Sequence, residues 1–271
     1  MKLKYNYLFL FFLLAFQQIV LCQNVQYWGQ TAENIALART GAAATGLSAL
    51  YANIAGLTQL ESNSVILSAE QRFELTELQT LSAGGAIVTN SGIFGVKIGY
   101  FGFEDYNEQN LSLLYSRKLM DKLSLGAEII LLQTQIPEFD SQIAATFALG
   151  VQTQLSKELL LGVHLYSPIR VELAEEELIP SIYRAGLSYI ASKKLRINAE
   201  LEKNVDFPFR FRGSIDYKFL EALEVRLGYS SEPSSFHFGF GYSFANFSLD
   251  AASSYHQVLG FSPAVSLTYQ F

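Results

Sequence analysis

The sequence predicts an all-β protein, a transmembrane antiparallel up-and-down β-barrel of about fourteen strands with an N-terminal plug segment. Three observations lead there. The 271 residues are 50% hydrophobic and only 16% charged, where a soluble surface needs roughly a quarter charged residues, so something other than water must cover part of this one. Beyond the N-terminus no segment has the roughly 20 consecutive apolar residues of a spanning helix. The stretch FRFRGSIDYKF (209–219) instead carries an apolar or aromatic side chain, or Gly213, at every odd position and a polar one at every even position. That is the two-residue period of a strand with one greasy and one polar face.

The first element is a leader. Lys2 and Lys4 precede an apolar core from Tyr7 to Phe16, the length of a secretory signal and too short to span a bilayer. Residues 1–22 are therefore expected to be an export signal cleaved after Cys22, which would leave the mature chain without cysteine and exclude disulfides and a cysteine nucleophile. The rival reading is a lipid anchor on Cys22, against which stands the bulky Leu21. A net charge of −6 and a pI near 5.2 exclude a nucleic acid held through its phosphates.

Residues 23–62 do not read as strands. The run ENIALARTGAAATGLSALYANIAGL is rich in small residues, with short helical pieces expected near 33–39 and 47–52, and is expected to fold into the barrel as a plug.

From residue 63 to 271 the chain reads as barrel. Extended segments of about ten residues, enough for a tilted spanning strand, fall at 63–72, 79–89, 93–103, 108–118, 122–133, 142–154, 158–167, 181–191, 194–203, 209–219, 222–230, 235–243, 246–255 and 261–271. Short turns are expected at 90–92, 119–121, 155–157, 191–193, 219–221 and 245–246, and longer connections at 104–108, 134–141, 169–180 and 204–208. This is the short-periplasmic, long-extracellular asymmetry of an outer-membrane barrel. In the second half Leu195, Ile197, Ala199 and Leu201 alternate with Arg196, Asn198, Glu200 and Glu202, and Phe236, Phe238 and Phe240 with His237, Gly239 and Gly241. The apolar face is assigned to lipid and the polar face to the lumen; in the first half, for example 79–89, the alternation is weaker. Phe219, Tyr229, Phe244, Tyr255 and Tyr269 suit interfacial girdles.

The small-residue run before ALYANIAGL resembles the N-terminal signature of the FadL-like outer-membrane β-barrel superfamily, an Asn-Pro-Ala-Gly-Leu motif ahead of a fourteen-stranded barrel. Asn53, Ala55, Gly56 and Leu57 match the motif, while Ile54 stands where the family has proline. The final VSLTYQF, ending on Phe271, resembles a barrel-assembly signal. The compact length and CQN start look more like the PorV/PorQ branch of Bacteroidetes than the longer fatty-acid transporters. The resemblance implies residence among outer-membrane lipid, and either binding or passage of a hydrophobic small-molecule ligand or, alternatively, a type IX secretion role with protein partners.

For chemistry the sequence offers little. His164, His237 and His256 fall on three strands with no metal-binding spacing, and serines such as Ser243 and Ser254 lack a triad context. No catalytic set, metal or cofactor is expected. Arg196, Glu200, Arg210, Arg212, Asp216, Glu224 and Arg226 are expected on the inward face of three neighbouring strands. There they either pair into a salt-bridged wall that anchors the plug or grip the carboxylate of an amphipathic ligand. Gly84-Gly85 and Pro263 are candidate weak points through which cargo could cross the wall. The acidic run 174–178 is expected to be a solvated loop.

Overall fold

The computed structural model describes residues 30–271 apart from 138–140 and 175–176; the leader expected at 1–22, residues 23–29 and the centre of the acidic run lie outside the described residues. Strands β1 (Ser64–Gln71), β2 (Gln79–Thr89), β3 (Gly92–Phe103), β4 (Tyr106–Met120), β5 (Leu123–Gln135), β6 (Gln142–Gln154) and β7 (Leu159–Tyr166) run as a meander. A separate two-stranded ribbon, β8 (Glu172–Ala174) with β9 (Glu177–Leu178), follows. The meander resumes with β10 (Ile182–Ser192), β11 (Leu195–Asn204), β12 (Phe209–Lys218), β13 (Leu223–Ser231), β14 (Ser234–Phe244), β15 (Phe247–His256) and β16 (Gly260–Gln270). β7 pairs with β10, and β1 pairs antiparallel with both β2 and β16, closing a fourteen-strand barrel without a free edge.

Closure fixes which way each side chain points. The paired row Arg196↔Asp216, Asp216↔Arg226 and Arg226↔Gly239 puts even positions of β11–β13 and odd positions of β14 on one face, and that face is buried. The opposite face carries Phe211, Leu227, Phe238 and Phe240, all about half exposed. In water each such half-exposed side chain would forgo about 1 kcal/mol of burial, half the value for a full side chain; in hydrocarbon it forgoes nothing, and the closed ladder leaves no backbone group to satisfy. The weakly alternating first half obeys the same parity, Ser68 facing Ser82 inside and Leu67 facing Ala83 outside.

At the short-turn end the rings of Tyr242, Phe244, Phe247, Tyr269 and Phe271 follow one another with centroids 4.7–6.0 Å apart. This is an aromatic girdle, which the terminal residue completes; the Phe271 N–H also donates to the Asn63 carbonyl at 2.9 Å. Two connections differ from expectation. The 104–108 loop is a tight turn, with Phe103 already paired to Tyr106, and 169–180 carries the β8–β9 ribbon. β3 and β4 pair on past the apolar belt, where a polar sequence no longer marks a strand.

Candidate functional site in the lumen

The N-terminal segment lies inside the barrel. The Thr31 hydroxyl accepts from the Asn34 N–H at 3.1 Å and starts helix α1 (Ala32–Ala36). Its small face suits the close approach to β14–β16, where Ala36 lies against Gly239. Two 3-10 turns follow, η1 (Leu47–Tyr51) and η2 (Ile54–Gln59), the second capped by Asn53.

Asn53 is fully buried and ties together three chain segments. Its Nδ2 donates to the carbonyl of Ala42 at 2.6 Å and to those of Val151 on β6 and Val163 on β7 at 3.1 Å each. Its Oδ1 accepts from the Ala55 N–H at 3.1 Å. Ile54, in the proline's place, is buried as the first residue of η2 and needs no hydrogen-bond donor there; Gly126 lets it approach β5. A Cβ on Gly56 would run into the Ala44 carbonyl, and Leu57 is wholly buried in the apolar cluster.

Of the expected charges, Glu200 and Arg212 are almost inaccessible. The Glu200 carboxylate accepts from the backbone N–H groups of Gly41 and Ala42 at 2.8 and 2.6 Å and from Arg212 at 3.0 Å. Arg212 and Arg210 both reach Glu202, at 2.7 and 2.9 Å. Further round, Arg226 pairs with Glu224, Asp250 and Asp216 at 2.5, 2.6 and 3.5 Å. Arg196 donates to the Thr45 hydroxyl at 3.4 Å. The two clusters thus face the plug segment, one bonded to it directly. Removing one partner of such a buried pair costs about 3–5 kcal/mol, because the other charge is stranded.

Sequence reasoning placed Glu202 on the lumenal face without counting it among the site charges, and it missed Asp250, which shares the same inward face. It also missed Arg184, bonded to Glu202 at 2.9 Å, the Lys97–Glu128 pair at 2.8 Å and the Arg39–Glu70 pair at 2.7 Å. The last two lie where the alternation is weak. Glu33, half-buried in the first turn of α1, sits among Arg226, Asp250, Asp216 and Glu224; burial pushes its carboxyl up to about 7, with Arg226 opposing the rise and the three carboxylates adding to it.

On the other side of the lumen apolar residues are interspersed with polar ones such as Ser112, Ser116 and Glu128. Leu50, Ile54 and Leu57 of the plug segment join Leu114, Ile130 and Leu132 of β4 and β5 in one cluster, which extends to Leu173 and Ile179 around the ribbon. Between the two sides lies a chamber of about 50 Å3, bordered by Tyr51, Lys97, Ser112, Glu128, His164 and Arg184. Both His164 ring nitrogens and the Ser112 hydroxyl are buried there without a hydrogen-bond partner among the described residues. The space suits a few water molecules, each needing about 10–15 Å3.

His164 on β7 is remote from the other two histidines, which lie one register step apart on the adjacent strands β14 and β15. His237 Nε2 lies 3.0 Å from the Ser235 hydroxyl, and His256 Nδ1 accepts from the Val258 and Leu259 N–H groups. The β2–β3 ladder runs unbroken through Gly84 and Gly85, and Pro263 keeps its place opposite Ser253.

No family model matches the chain, and no curated protein matches it in sequence. Its structure is similar to that of a Pseudomonas aeruginosa FadL homologue, with a TM-score of 0.69 at 12% identity over 89% of this chain and 98% of that one. It is likewise similar to the Pseudomonas putida toluene transporter TodX, with a TM-score of 0.70 at 13% identity over 90% and 98% of the two chains. The Acinetobacter baumannii outer membrane protein Omp33 follows at 0.54 and 12% identity over 78% and 98%. At these identities the likeness is one of fold: a transmembrane barrel built like FadL and TodX.

Proposed function

We propose that the chain is an outer-membrane barrel that binds hydrophobic small molecules and passes them through its lumen, with residues 1–22 as export leader, 23–62 as plug and 63–271 as barrel. The carrying observation is the two-sided lumen. A channel for hydrophilic solutes is polar all round, whereas here a packed apolar cluster extends from Leu173 and Ile179 at the ribbon, past Leu132 and Ile130, to Leu50 and Leu57 of the plug, and we read it as the lane that opens when the plug yields. Opposite it, Glu200 and Arg212 pair with each other and Glu200 holds the plug backbone, while Arg226 pairs with Glu224 and Asp250, so the lane offers cargo an apolar path beside charges that are already paired. The fold shared with a barrel described as a toluene transporter supports this reading.

The chemistry is that of binding. An apolar solute leaves water at about 25 cal/mol per Å2 of covered surface, and passage requires the plug to yield where it blocks the lane. The alternative, a PorV/PorQ-type component of type IX secretion holding protein partners, would use the ribbon; Leu173 and Ile179 turn inward there, which favours covering the lumen. Uptake of labelled toluene and of a labelled disaccharide by intact cells tests the proposal. Cells expressing the full chain are expected to take up toluene faster than control cells with sugar uptake unchanged, and Ile130→Gln to reduce the gain several-fold. Faster sugar uptake with no gain for toluene would overturn it.

A further inference from the structure

Sheet parity turns Leu67 and Ala69 of β1, Leu81 and Ala83 of β2 and Ile98 of β3 outward. On a convex barrel they would stand on a ridge. Instead they line a concavity of about 900 Å3 on the lipid side, flanked by Leu249 and Leu267 at one edge and Leu131 and Ile143 at the other. On the lumenal side the β16–β3 part of this row carries small inward residues, Ser266, Ser68, Ser82 and Gly99. A Cβ on Gly95 would stand 2.9 Å from Leu50 Cδ1, and the Ser68 hydroxyl donates to the Gln30 carbonyl at 2.7 Å. With nothing bulky to hold it off, the wall leans onto the plug and its outer surface is dented.

The dent follows one row of cross-strand partners, Ser266, Ser68, Ser82, Gly99, Asn110 and Leu132. Because barrel strands tilt by about 35–45°, such a row crosses the membrane obliquely. One end, Leu249, lies near the start of β15 beside a short turn; the other, Ile143, lies near the start of β6 beside the long 136–141 connection. Only towards that second end does the outward row become polar. Tyr100, Gln109 and Gln133 are successive cross-strand partners there. Among the described residues no Asp, Glu, Lys or Arg lines the groove.

We propose that this groove is a lipid-docking site, seating the acyl chains of a resident membrane lipid whose uncharged hydrogen-bonding region rests on Tyr100, Gln109 and Gln133. The site stands apart from the lumenal lane and does not depend on the cargo reading. Within the hydrocarbon belt the occupant must be apolar, and a polar row at one end matches an amphiphile lying with its head towards the rim. Volume decides between occupants. At roughly 30 Å3 per heavy atom, water's share of the liquid, the groove holds about thirty atoms, two tails of about fifteen carbons. A spanning helix about 10 Å wide and 30 Å long fills on the order of 2,000 Å3 and would not seat.

The full chain, extracted from membranes in mild detergent, is expected to retain lipid in native mass spectrometry. The double variant Ala69→Phe/Ala83→Phe, which fills the floor, is expected to lose at least about tenfold of that occupancy, a shift of about 1.4 kcal/mol, while Ala199→Phe on the opposite wall keeps it. Equal occupancy in both variants overturns the proposal. So does a double variant that loses toluene uptake but keeps its lipid, because the groove would then serve cargo. Should the double variant not fold, a phospholipid with a photoreactive tail decides on the wild type. Crosslinks concentrated on β15, β16 and β1–β6 are expected, and crosslinks spread evenly around the barrel overturn the assignment.

Discussion

At the scale of the residue, Asn53 does what no apolar side chain of its size could, because it meets three carbonyls and one N–H in a place water does not reach. Asn53→Ala leaves those groups unsatisfied and is expected to loosen the plug by about 4 kcal/mol, at about 1 kcal/mol for each of the four lost bonds. Amide hydrogen exchange over residues 41–58 should rise while the barrel amides stay protected. Asn53→Asp keeps the acceptor but turns a negative oxygen towards carbonyl oxygens, so it should be worse than alanine; a milder aspartate would refute the donor role. Gly162 gives the matching case from the wall, since a Cβ there would run into the Ala42 carbonyl. Gly162→Ala is expected to displace the same segment with the barrel intact, again read by exchange at residues 41–58. Both are consequences of backbone lying directly on backbone. A sequence shows the Asn and the Gly but not that they meet, and only the resemblance around ANIAGL singled Asn53 out.

At the scale of the element, the strands were legible and their partners less so. β11–β14 show in sequence because lipid demands apolar residues at alternate positions while the lumen demands charge, so both faces carry signal. In β2 and β3 the inward face includes Ser82, Gly84, Ala86, Gly95 and Gly99, and Gly84 and Gly95 are where Leu50 of the plug comes close. Small residues blur a polar-apolar alternation, and Lys97 and Glu70 went unnoticed with it. The β8–β9 ribbon is too short to show any period. Helix α1 is shorter than the stretch expected at 33–39, because Ala38 and Arg39 take positive φ of 51° and 60° and end it.

The same helix carries a pH prediction. With the Glu33 carboxyl raised from 4.5 to about 7, the docked helix keeps a proton that an undocked one releases between those values. Docking is therefore fully favoured below about pH 4.5 and weakens as pH rises through 7. Exchange at residues 32–40, corrected for the intrinsic pH dependence, should show less protection at pH 8 than at pH 5, and Glu33→Gln should flatten the difference. Protection that grows with pH would contradict the placement of Glu33 among three carboxylates.

At the scale of the whole molecule, parity is a collective property: a one-residue slip in any ladder would exchange lipid and lumen faces across that strand, so fourteen ladders closing consistently make each outward position a statement about the membrane. Leu227 and Leu220 test this within one hairpin. They are almost equally accessible, 55% and 57%, but Leu227 lies in the middle of β13 and Leu220 in the turn before it. On a water-exposed surface both leucines would tolerate arginine within about 0.5 kcal/mol. In a bilayer the cost follows depth, about 2–4 kcal/mol for arginine at the midplane and about 0–1 near the interface. Folding titrations into phospholipid vesicles should therefore separate Leu227→Arg from Leu220→Arg by roughly 2 kcal/mol or more, on the same depth scale. Because the two sites match in exposure and chemistry, the difference isolates the hydrocarbon itself. Equal costs would mean that the aromatic and leucine belt faces something other than lipid, and the inward assignment of every charge in the lumen would lose its basis with it.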